Sequence, residues 1–65
     1  MNTLPVSPAH LKEGDRFING SDTLIFKERG NVGYCVYFMI GLIENSDKHF
    51  YIQYGIKSKV DKIIN

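Results

Sequence analysis

Residues 32–43, Val32-Gly33-Tyr34-Cys35-Val36-Tyr37-Phe38-Met39-Ile40-Gly41-Leu42-Ile43, form an uncharged stretch that is apolar on both of the faces a β-strand presents. Successive side chains of a strand alternate between two faces. Val32, Tyr34, Val36, Phe38, Ile40 and Leu42 therefore share one side, and Cys35, Tyr37, Met39 and Ile43 share the other with Gly33 and Gly41. The β-branched and aromatic content favours strand over helix. The Val32, Tyr34, Val36, Phe38 and Ile40 side has facing residues in Leu24, Phe26, Phe50 and Ile52 and is the one expected in the core, and the other needs a second cover. The length of the stretch predicts a bend or bulge near Gly41.

With 65 residues there is room for one domain, expected over residues 1–65. A chain of this size buries only about 60% of the surface its unfolded form exposes, so small folds lean on disulfides, metals or self-association. The single cysteine, Cys35, excludes an internal disulfide. His10 and His49 are the only histidines, and with Cys35 they match no zinc-ligand spacing. No metal or cofactor is expected. A free cysteine without a disulfide framework fits a reducing compartment, and residues 1–10 carry neither the basic nor the apolar region of a signal peptide. A cytoplasmic protein is expected. The apolar stretch falls short of the ~20 residues that a membrane-spanning helix needs.

Turn signals divide the chain into short pieces. Over residues 7–14, Ser7 suits a helix N-cap, Pro8 the first helical position and Gly14 the residue past the end, which predicts one short helical turn. Arg16-Phe17-Ile18 reads as a strand ended by the turn dipeptide Asn19-Gly20. Residues 23–28 resume extended structure with Leu24 and Phe26 on one face, and Arg29-Gly30-Asn31 predicts a hairpin into the long stretch. Asn45-Ser46-Asp47 predicts the next turn, followed by a half-buried strand over residues 49–54 with Phe50, Ile52 and Tyr54 inward. Ile56, Val60, Ile63 and Ile64 fit a helical stripe, while residues 59–64 also fit a closing strand. The strand is preferred because it covers a sheet edge. The fold class expected is all-β, a small barrel of about five antiparallel strands.

The motif Leu11-Lys12-Glu13-Gly14-Asp15-Arg16-Phe17 opening a strand, the hairpin, the long central strand, Phe50 and the terminal Val60-Asp61-Lys62-Ile63 together resemble short phage-encoded proteins with an SH3-like barrel. The resemblance spans most of the chain. It departs at residues 41–45 and 54–58, where extra residues leave the register of the last two strands open. What it implies is an SH3-like barrel that binds and redirects a host protein.

Function classes narrow by what the sequence lacks. Catalysis needs a nucleophile, a base and an orienting group in a water-excluding pocket, and a core this small leaves little room for one. Cys35 inside an apolar run behaves as a small hydrophobe, so pairing with His49 is not expected and the chain is read as no enzyme. Gly30-Asn31-Val32-Gly33 spells the G-x-x-G of a nucleic-acid clamp but lies between strands, where a hairpin turn is expected. Eight basic against seven acidic residues give little drive for nucleic-acid binding. Even so, Tyr34, Tyr37, Tyr51 and Tyr54, with Phe38 and Phe50, could stack single-stranded bases beside a rim of Lys48, Lys57 and Lys59. That is the alternative function.

The leading expectation is a protein-binding module, with a host protein or a second copy as partner. The expected binding residues are Cys35, Tyr37 and Met39, helped by Ile25 and Tyr51. Contiguous exposed apolar area on a small domain marks an interaction site. The other cover open to that face is a second core layer, formed if a bent strand buries both of its sides.

Overall fold

The computed structural model describes residues 2–64. It is an all-β protein built on six antiparallel strands: β1 (Thr3–Val6), β2 (Arg16–Asn19), β3 (Asp22–Gly33), β4 (Val36–Ile43), β5 (His49–Gly55) and β6 (Val60–Ile63). Their order across the sheet is β1-β6-β2-β3-β4-β5. The sheet is not closed. β1 and β5 are its two edges, with no pairing between them among the described residues. No helix among those residues is long and apolar enough to cross a membrane.

The sixth strand beyond the expected five is β1, whose Leu4-Pro5-Val6 carries a proline that argues against a central strand. It forms at an edge, where a missing N–H is tolerated. The end of the chain resolves to a strand: β6 pairs with β1 on one side and β2 on the other. Of the expected helical turn over residues 7–14, only a 3-10 turn at Pro8–His10 is present. Ser7 Oγ accepts from Ala9 N–H at 3.3 Å, and Leu11 is already extended.

Residues 11–17 then set the approach to β2. Asp15 Oδ2 accepts from Lys12 N–H at 2.9 Å, closing a tight turn that carries Gly14 at φ 95°. Gly14 N–H donates to the Phe26 carbonyl, and Phe26 N–H donates to the Asp15 carbonyl. These bonds tether the segment to β3 and leave Leu11 and Phe17 pointing into the core. The turn expected at Asn19-Gly20 is present, with Gly20 at φ 64° and Asn19 paired to Asp22.

The long apolar stretch is not one strand. It is cut by a two-residue turn, Tyr34-Cys35, between the paired ends Gly33 and Val36. Cys35 takes φ 58°, a left-handed conformation uncommon for a side chain other than glycine or asparagine. The hairpin expected at Arg29-Gly30-Asn31 is absent, and these residues run through β3. The reason lies across the ladder. A Cβ on Gly30 would stand 2.5 Å from the Phe38 ring, so this glycine admits an aromatic ring instead of turning the chain.

The two faces of the stretch are also reversed from expectation. Leu24 and Phe26 are buried as expected, and they pair directly with Ile43 and Gly41, which places those residues on the core side. A register shift between Phe26 and Glu28 leaves Lys27 as an extra residue in β3, a bulge facing the Gly41 region where a bend was expected. Past the bulge, Arg29 pairs with Met39 and Asn31 with Tyr37. Met39 is 1% exposed and belongs to the core with Leu11, Phe17, Leu24 and Phe26, against which Phe50, Ile52, Tyr54, Val6, Ile43 and Val60 pack. Val36, Phe38, Ile40 and Leu42 face outward. Gly41 decides the side: the space its missing Cβ leaves is filled by Leu24 and Phe17.

Candidate functional site

The five residues expected to form one binding face fall in three places. Met39 is in the core. Tyr37 is half-buried on the same inner side, stacked on Tyr54 with ring centroids 5.6 Å apart. Cys35 is exposed in the β3–β4 turn beside Tyr34, which is 95% exposed. Ile25 and Tyr51 lie on the opposite, outer side, where cross-strand partners are Leu42 and Ile40. The buried position of Met39 corrects its assignment to a partner surface, and it follows from the reversal of faces.

The outer side carries an apolar surface of its own. Val36, Phe38, Ile40 and Leu42 from β4 meet Ile25 from β3 and Tyr51 from β5. Phe38 and Tyr51 stack at 5.2 Å with their planes 16° apart, the Phe38 ring resting over Gly30. Val36 is 40% and Tyr51 56% exposed. Residues 7–15, which connect β1 to β2, pack on the inner side through Pro8 and Leu11. Glu28 and Gln53 flank Ile40 and Phe38 in the ladder, and the Arg16–Glu44 ion pair at 3.0 Å sits beyond Ile25, so polar groups rim the patch. The sequence showed that a second apolar face exists, but it offered no signal for which one stays outside.

On the inner side, past the core, an open groove of about 500 Å³ is lined by Arg29, Asn31, Tyr37, Tyr54, Ser7 and Ile56 among others, none of them acidic. The Arg29 guanidinium lies 5.3 Å over the Phe26 ring and donates to the Leu11 carbonyl. It has no carboxylate partner among the described residues. Burial holds the Tyr54 hydroxyl above its ordinary value of 10.0; Arg29 pulls it down and Tyr37 adds to the rise. In the unfolded chain this phenol ionises near 10.0, so its contribution to stability is complete below that pH and is lost as pH rises through the higher folded value. Tyr54→Phe is therefore expected to flatten the fall of the urea midpoint on the alkaline side of 10.0, measured by circular dichroism against pH.

The other sequence candidates are dispersed. Lys48 precedes β5 while Lys57 and Lys59 follow it, so the expected basic rim is split between the two ends of a strand, roughly 20 Å apart by strand rise. Cys35 stands before Val36, and His49 pairs with Leu42, which separates the two by roughly 20 Å along the hairpin. The Gly30-Asn31-Val32-Gly33 motif is β3 backbone, with Gly33 N–H donating to Asn31 Oδ1 at 2.9 Å. Comparison with family models, with curated proteins and with solved structures yields no match to this chain.

Proposed function

We propose that this chain is a protein-binding module that acts through the outer face of β3, β4 and β5 and carries out no catalysis. The observation that supports this most is the stacked Phe38–Tyr51 pair set among Val36, Ile40, Leu42 and Ile25 on a face away from the connecting segment. Aromatic anchors surrounded by smaller apolar groups and a polar rim are the anatomy of a protein interface. The likeness to small phage-encoded proteins adds that the partner is a host protein whose activity is inhibited or redirected. On this reading the sheet is an SH3-like barrel left open between β1 and β5, because the last strand returns beside β2 as such barrels require. Single-stranded nucleic acid ranks below protein as the ligand, since Lys48, Lys57 and Lys59 form no continuous track.

The double variant Val36→Asp, Ile40→Lys tests the site. It is expected to keep the far-ultraviolet dichroism and cooperative melting of the parent while losing a protein that the tagged parent retains from host lysate. Equal retention by both chains, including none by either, overturns the reading.

A further inference from the structure

β5 is an edge strand whose free backbone groups can be identified one by one. Ile43 N–H donates to the Lys48 carbonyl at 3.0 Å. Directly opposed residues of an antiparallel pair alternate between hydrogen-bonded and non-bonded, so Phe50, Ile52 and Tyr54 bond to β4, and His49, Tyr51, Gln53 and Gly55 turn their N–H and C=O outward. Gly55 is already satisfied, because its N–H donates to Ser58 Oγ and its carbonyl accepts from Ser58 N–H, both at 3.1 Å. His49, Tyr51 and Gln53 remain. The opposite edge differs. Ile64 N–H donates to the Asn2 carbonyl, and the same alternation turns Thr3 and Pro5 of β1 outward, where Pro5 has no N–H to offer. β1 thus carries one of the usual guards against edge pairing, whereas β5, His-Phe-Tyr-Ile-Gln-Tyr-Gly, contains no proline, lysine, arginine or acid.

We propose that β5 pairs antiparallel with β5 of a second copy about a two-fold axis at Tyr51, joining two six-stranded sheets edge to edge. In this register His49 faces the second copy's Gln53, Tyr51 faces Tyr51, and Phe50 faces Ile52. The three outward residues map onto themselves, so every free N–H meets a free carbonyl. A register two residues away leaves one of them unmatched. On the outer face the Phe38–Tyr51 stack continues into the same stack of the second copy. On the inner face the half-buried Phe50 and Ile52 cover each other. No like charges are opposed, and Lys48 falls opposite Tyr54. The backbone groups alone would accept any extended strand; the side chains single out a second copy, because this register sets Tyr51 against Tyr51 and Phe50 against Ile52 with no charged residue of β5 opposed. The pairing uses the edge of β5 and stands apart from the outer-face partner proposed above, although Tyr51 borders both.

Sedimentation of the full chain across micromolar to millimolar concentration is expected to show a reversible monomer–dimer equilibrium. Gln53→Pro removes an outward N–H from each copy without touching a bond to β4, and it is expected to weaken dimerisation roughly tenfold or more. Tyr51→Lys and Tyr51→Glu should each sediment as folded monomers, and an equimolar mixture of the two should dimerise, because only this register brings position 51 against itself. A parent chain that stays monomeric throughout overturns the proposal and leaves the edge to another extended partner or to none. Dimers unaffected by Gln53→Pro, or charge variants that do not restore each other, also overturn it, and point to the outer face as the contact.

Discussion

Met39→Ala is expected to leave the chain largely unfolded at room temperature, while Val36→Ala, three residues away in the same strand, leaves it folded. Met39 is 1% exposed and packs in the cluster of Leu11, Phe17, Leu24 and Phe26. Truncating a buried methionine to alanine costs about 2–5 kcal/mol, because transfer free energy is lost and a cavity remains. A core in a chain this short rarely supplies more than about 3–5 kcal/mol in total, so the loss is comparable to the whole stability. Val36 faces outward at 40% exposure, and shortening it removes little buried area. Urea titration followed by circular dichroism separates the two variants. If Val36→Ala proves the more damaging, the inner and outer faces of β4 are exchanged and the binding surface passes to the Tyr37 side.

The all-β class was legible because its signals are local. Phe50, Ile52 and Tyr54 alternate with polar neighbours, and all three pack on the core. Asn19-Gly20 turns, and Asn45 takes φ 66° in the next turn, where Ser46 N–H bonds back to the Ile43 carbonyl. The long apolar stretch misleads for a physical reason: alternation identifies a face only when one face is polar, and here neither is. Turn chemistry misled as well. Gly30-Asn31 has turn residues and forms strand because Phe38 lies over Gly30, whereas Tyr34-Cys35 lacks them and forms the turn. A single extra residue, Lys27, then switches the inward side of β3 from Leu24 and Phe26 to Arg29 and Asn31, an adjustment that no residue type announces. The candidate site inherits this history. That a second apolar face needs a cover follows from the sequence, but alternation with Leu24 and Phe26 places its members, Phe38 and Ile40 above all, on the core side.

The glycine that settles the direction of β4 also resists substitution. Gly41 is buried between Phe26 of β3 and Phe50 of β5, and a Cβ added there would lie 3.1 Å from Leu24 Cβ, 3.2 Å from Leu24 Cδ1 and 3.2 Å from Phe17 Cζ. Replacing glycine within a strand ordinarily gains roughly 0.5–1 kcal/mol by limiting the unfolded chain. At Gly41 crowding reverses the sign. Leu24 Cβ is fixed to its backbone and cannot swing away, and Phe17 is walled in by the same core. Overpacking of this kind costs about 1–3 kcal/mol for a methyl or methylene, occasionally more. Gly41→Val adds three carbons and is expected to lie at or above the top of that range, enough to abolish cooperative unfolding. Gly41→Ala should cost less and remain measurable. Its partner test is Phe17→Leu, which removes the ring end that meets the new methyl. The double variant is expected to lose less stability than the sum of the two single losses, the coupling that residues in contact show. Strict additivity, or a stabilising Gly41→Ala, would place Gly41 away from Phe17 and Leu24 and return Phe38 and Ile40 to the core side of the sheet.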